Sequence, residues 1–93
     1  MTKLEKIVKE IQRKETYLET LSNELSAILF NGVDEVKFIS GNNIHIVPKD
    51  MGLISLFKCC YVANIKNMKK DLIERLNTLY SEIGLKRGKQ YYD

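Results

Sequence analysis

The chain has 93 residues and 10.8 kDa, with 44% apolar and 29% charged residues, one Pro, five Gly, one His and no Trp. That is the balance of one small globular domain, and it excludes a disordered or collagen-like chain. Fifteen basic against twelve acidic residues leave a net charge of +3, far short of a histone-like polycation, and so few acids, bases and ligands point away from an enzyme.

Residues 3–30 predict one long helix. Thr2 followed by Glu5 has the spacing of a capping box, in which side chains satisfy backbone N–H groups left over at a helix start. Leu4, Ile7, Ile11, Leu18, Leu21, Leu25 and Ile28 then recur by threes and fours, an a/d heptad interrupted once by Lys14 at a d position. A lysine in a seam weakens packing and selects against arrangements that bury it. Asn31-Gly32 supplies the left-handed residue that ends such a helix.

Residues 35–47 predict a β-hairpin around a four-residue turn, Ser40-Gly41-Asn42-Asn43, with Pro48 closing the second strand. Val36, Phe38, Ile44 and Ile46 are expected on one face, with Lys37 and His45 on the other. Asp50 is placed to cap a second helix that runs to about Ile83 and stops at Gly84. Its later seam is Ile65, Met68, Leu72, Leu76, Leu79 and Ile83. Its first half is apolar nearly all round: one stripe (Ile54, Phe57, Tyr61) leads into Ile65, and a second (Leu53, Leu56, Cys60, Ala63) fades at Asn67. Two apolar stripes predict burial on two sides, and a third strand within 53–62 is the competing reading.

The fold class expected is therefore α+β: a long helix, a β-hairpin and a long antiparallel helix (α-β-β-α), coiled-coil-like and completed by dimerisation. Residues 1–84 form the single domain, and residues 85–93 a basic and aromatic C-terminal tail. A two-helix hairpin covers little of so wide an apolar surface, whereas a homodimer would cover it as a four-helix bundle. The element order, and nothing more local, resembles that of prefoldin-type chaperone subunits, in which coiled-coil helices flank a β-hairpin.

The N-terminal segment has no uninterrupted apolar stretch of a secretory signal, and the most apolar run, Met51 to Ala63, is shorter than the ~20 residues of a spanning helix. No membrane association is expected. Cys59 and Cys60 are adjacent and cannot staple distant parts of one chain, so a reducing cytoplasm is the simpler compartment. Twelve Lys against three Arg, with ten Ile and seven Asn, are what AT-rich codons encode. A low-GC bacterium or one of its phages fits, which would place the protein in the host cytoplasm.

No catalytic residues, metal site or cofactor are expected. Zinc needs four ligands at suitable spacing, and two neighbouring thiols plus His45 do not supply them; the thiols read as buried. His45, Ser40, Cys59 and Asp34 include the right types for nucleophilic catalysis, but nothing in their spacing joins them. Residues 1–30 hold five charges of each sign and 31–64 three of each, so the whole basic excess sits in 65–93. There Lys66, Lys69 and Lys70 share about one helical face, and Lys86, Arg87 and Lys89 stand beside Tyr91 and Tyr92. That set would grip phosphates and stack on bases, or bind an acidic partner, so nucleic-acid binding is one alternative. The plainer reading of the same lysines is a solvated helix face.

The features favour protein–protein interaction. The helix seams, Leu4, Ile7, Ile11, Leu18, Leu21, Leu25 and Ile28 on the first and Ile65, Met68, Leu72, Leu76 and Leu79 on the second, are the expected partner or self-association contacts, and hairpin edges and tyrosines are suited to partner contact. Partners expected are the chain itself and an unidentified protein, as for a small phage or mobile-element inhibitor or adaptor. A structural, assembly or chaperone-like factor is the other alternative.

Overall fold

The computed structural model describes all residues 1–93, in the order α1 (Lys3–Asn31), β1 (Lys37–Ser40), β2 (Asn43–Ile46) and α2 (Met51–Glu82). The α-β-β-α order read from the sequence is observed, and residues 53–62 are helical throughout, which removes the third-strand reading. Both helix starts are capped as the sequence requires: the Glu5 N–H donates to Thr2 Oγ1 and the Leu53 N–H to Asp50 Oδ1, each at 3.1 Å. α1 ends where Gly32, at φ +74°, donates its N–H to the Ile28 carbonyl at 2.9 Å.

α2 ends in a Schellman turn. Gly84 sits at φ +74° and donates to the Ser81 carbonyl at 3.0 Å, while the Leu85 N–H donates to the Tyr80 carbonyl at 2.9 Å. A residue with a Cβ resists that left-handed conformation. The turn reverses the chain, so residues 85–93, read from sequence as a tail, fold back across α1.

The helices run antiparallel, Glu24 meeting Tyr61 and Glu15 meeting Tyr80. Their core is six residues, Ile11, Leu18, Leu21, Ile65, Leu72 and Leu76, with Leu18 and Leu76 at 0% exposure. Ile7, Leu25, Ile28 and Leu79 from the expected seams flank this core half-buried, whereas Leu4 and Met68 are exposed. Lys14, the charged seam position, stays mostly covered and pairs with Glu10 at 2.9 Å across one helical turn. The molecule measures 51 × 30 × 16 Å, one helix pair long and barely more than one helix thick.

The hairpin departs from expectation in turn and face. β1 pairs with β2 through Lys37↔Ile46, Phe38↔His45, Ile39↔Ile44 and Ser40↔Asn43, so only Gly41-Asn42 lie between the strands. Gly41 is at φ +59° and Asn42 has no positive φ, the pattern of a type II′ turn, which needs Gly first. Directly paired residues share a face. Phe38 therefore stands with His45, and Lys37 and Ile39 with Ile44 and Ile46, in place of the expected grouping of Val36, Phe38, Ile44 and Ile46. The Phe38 side packs on the helices, its ring edge-on to Phe57 with centroids 5.6 Å apart. Val47, whose N–H donates to the Val36 carbonyl at 2.9 Å, is the one fully buried apolar residue of this end.

Candidate functional site

Two regions carry chemistry or exposed surface beyond what the fold itself uses. The first is a polar clasp where the C-terminal segment crosses α1. Arg87, with 2% of its side chain exposed, sets Nε 2.7 Å and a terminal nitrogen 3.1 Å from the two oxygens of Glu15. Its two terminal nitrogens also reach the Asp93 carboxylate at 2.7 and 2.8 Å. One planar guanidinium is thus held by two forked carboxylates, a geometry that arginine satisfies and lysine does not. Tyr80 donates to Glu15 at 3.3 Å, Tyr92 donates to the same carboxylate, and Ser22 donates to the Tyr92 carbonyl.

The clasp sets its own charge states. The Arg87 hydrogen bonds hold Glu15 and Asp93 below the usual carboxylate range, against the opposing effect of burial. Asp93 first and then Glu15 stabilise the Arg87 cation further. Burial, and then the bond to Glu15, pushes the Tyr92 hydroxyl up to about 12. Tyr80 is raised by burial and then by the charge of Glu15.

Of the eight residues read as nucleic-acid or acidic-partner contacts, the structure therefore turns two inward, Arg87 and Tyr92. Lys86, Lys89 and Tyr91 remain exposed. Lys66, Lys69 and Lys70 line one open cleft, but Glu74 and Asp93 share it, so its basic character is diluted. Glu15 was missed in the sequence because it lies 72 residues from Arg87, and ion pairs at that separation leave no periodic trace. The only local hint was the lone Arg among the tail's lysines.

The second region is the hairpin end, where apolar side chains face outward. Ile39 (71% exposed), Ile44 and Ile46 form the outer hairpin face, and Phe30 (90% exposed) and Met51 project nearby in the chain. Between hairpin and helices lies a cleft of about 440 Å³ lined by Ile28, Val33, Val36, Phe38, Phe57 and Tyr61, with Lys37 and Lys58 at its edge. Tyr61 bridges to Glu24 at 3.2 Å, and its hydroxyl pKa is raised by burial and by that carboxylate.

The second α2 stripe is also uncovered. Leu56 is 58% exposed, Cys60 and Ala63 are exposed, and Leu53 is half-buried. The expectation of buried thiols is corrected: both Cys59 and Cys60 are free and exposed. The physical reason is that α1 covers one face of α2 only, along Ile65, Leu72 and Leu76, and no further element reaches the other. His45 and Ser40 are likewise on the exposed hairpin, and no three His, Cys, Asp or Glu side chains gather to hold a metal ion. No helix is long and apolar enough to cross a membrane.

No protein family, curated protein or solved structure matches this chain.

Proposed function

We propose that this chain is a non-enzymatic protein–protein interaction module, and that the outer hairpin face is its contact surface for a target. The observation that carries the reading is the exposure of Ile39, Ile44 and Ile46 together on one small sheet face, beside Lys37. Neighbouring apolar side chains left in water mark contact surfaces, whereas scattered ones do not. Two-stranded sheets also have free edges, which a partner strand can extend. The small size and the Lys-, Ile- and Asn-rich composition, which AT-rich codons encode, support a phage or mobile-element inhibitor or adaptor that occupies the surface of a host protein.

The test is a tagged pull-down from the lysate of an AT-rich bacterium, treated with nuclease, comparing the native chain with the Ile39→Asp/Ile44→Asp double variant. One stoichiometric protein retained by the native chain and lost from the variant is expected. Recovery that collapses with nuclease would overturn the reading in favour of nucleic acid. Equal retention by both chains would remove the hairpin face from it.

A further inference from the structure

The exposed stripe on α2 grades from large to small side chains. Leu53, Leu56, Cys60 and Ala63 are spaced by three, four and three residues, so two copies laid antiparallel keep these positions in register. We propose that a second copy of this chain docks on it, α2 against α2 in antiparallel array, about a two-fold axis at the level of Lys58. The proposal rests on the interaction reading above and names one partner within it.

Size complementarity selects this arrangement. About an axis at residue 58, Leu53 meets Ala63 of the second copy, and Leu56 meets Cys60. Each large side chain then faces a small one, the condition for close interdigitation across a helix seam. A parallel pairing would set Leu on Leu and Ala on Ala, leaving crowding and gaps in alternate layers.

Charge agrees. Lys58 is the only charged residue between Met51 and Ile65. At about 100° per residue it lies on the opposite side of α2 from the stripe, so its charge stays outside the seam, while Lys66 stands at the seam's end beside Ala63. The polar residues that follow the stripe, from Asn67 onward, end the seam where the two helices would diverge.

The area sets the strength. A fully buried Leu side chain removes roughly 60–120 Å² of apolar surface from water, so two Leu, one of them already half-buried, with a Cys and an Ala contribute at most roughly 200–300 Å² per copy. A standard interface buries about 800 Å² per partner. Pairing is therefore reversible and concentration-dependent, in the micromolar range or weaker. Because Phe57, which holds the hairpin, is one residue from the axis, pairing brings the two hairpins together at the middle of the dimer. The clasped ends point away on either side, roughly 70–80 Å apart at 1.5 Å per residue.

Sedimentation of the native chain over a concentration series is the test. The mass is expected to rise from 10.8 kDa towards twice that value. Leu56→Glu, at an exposed position, and independently Ala63→Glu, should each hold the chain at monomer mass with unchanged helical circular dichroism. In a Cys59→Ser background, adding Leu56→Cys should give a covalent dimer under mild oxidation at least tenfold faster than Cys59→Ser alone. A native chain that stays monomeric at the highest concentration would overturn the pairing, whatever the pull-down retains. So would a dimer indifferent to both Glu variants, or equally fast cross-linking through Cys60 alone, which would mean a parallel array. A dimer broken by Ile44→Asp and not by Leu56→Glu would move self-contact to the hairpin and also overturn the seam.

Discussion

At the end of the molecule that carries the helix termini, α1 and α2 meet along Ile11, Leu18, Leu72 and Leu76, and the folded-back segment adds a clasped Arg87. At the hairpin end the same two helices, with more apolar residues between them, bury only Val47 completely and leave Phe30, Ile39, Ile44, Met51 and Leu56 in water. Apolar content is thus higher where packing is poorer. The difference separates an end whose apolar faces are closed within the chain from an end whose apolar faces nothing in the chain covers. A small domain lacks the core to be closed everywhere, and here the closure is spent on one end.

The sharpest way to break that comparison is to remove side chains from each end and measure unfolding by urea. Leu18→Ala or Leu76→Ala, at fully buried positions, is expected to cost about 2–5 kcal/mol through lost transfer energy and the cavity left behind. For a domain of this size that is a large share of a total stability of ~5–15 kcal/mol. A cost below ~1 kcal/mol at either position would mean that the well-packed end does not hold the fold.

Arg87→Ala comes next. It leaves the Glu15 and Asp93 carboxylates facing each other with no cation between them. A loss of about 2–3 kcal/mol is expected, because hydrogen bonds to a charged group are broken and a part-buried charge is left unpaired. Arg87→Lys should recover less than half of it, since an ammonium cannot serve two carboxylates in fork geometry. Limited proteolysis gives a second readout: cleavage after Lys86 or Lys89 should speed up in Arg87→Ala well before the helices unfold. Equal protection in native and variant chains would show that the segment is held by packing of Tyr92 and not by the clasp.

How much of this was open to reading from sequence differs between the same two ends. The helices, their caps and their stop signals were legible because Thr2, Asp50, Gly32 and Gly84 act locally and the a/d periodicity is strong. The hairpin was legible as a hairpin but not in its facing. Apolar residues occupy both parities of each strand, Val36 and Phe38 beside Ile39, Ile44 and Ile46 beside Val47, so alternation alone selects no face. The two-residue II′ turn decided it, and four consecutive turn-forming residues concealed where that turn sits. Thiol burial was misjudged because a helix apolar all round predicts two partners, and the chain supplies one. The clasp was illegible for a further reason: Glu15, Arg87 and Asp93 are ordinary surface residues until the Schellman turn at Gly84 brings them together.

The clasp should also make the closed end sensitive to pH on both sides of neutrality. Glu15 and Asp93 have pKa values lowered from 4.5 and 3.8, so their contribution is fully present above those values and is lost as pH falls through the lower, folded-state ones. Tyr92 is raised from 10.0 to about 12. Its contribution is fully present below pH 10 and is lost as pH rises towards 12. The closed end is therefore expected to loosen on both acid and alkaline sides, with a broad plateau between. Amide exchange of residues 85–93 against pH would follow the acid limb, and the tyrosinate absorption band the alkaline one. Glu15→Gln should flatten the acid limb by a fraction of the Arg87→Ala effect, and an unchanged limb would assign acid sensitivity to groups outside the clasp.

The smallest effect expected on stability is the one that sharpens the comparison most. Ile44→Ser removes an apolar side chain that is already mostly in water, on a face that nothing in the chain covers. Its cost to unfolding of the isolated chain should stay within ~0.5 kcal/mol, the range of surface substitutions away from special features. The same substitution should reduce capture of the target at least tenfold, because a central apolar anchor dominates a small interface. A change in stability without a change in capture would invert the argument: Ile44 would then be a hidden part of the core, and the exposure of the hairpin face a matter of packing alone. A change in capture without a change in stability assigns the open end to a partner, since no selection for folding would keep isoleucines at Ile39, Ile44 and Ile46 facing water.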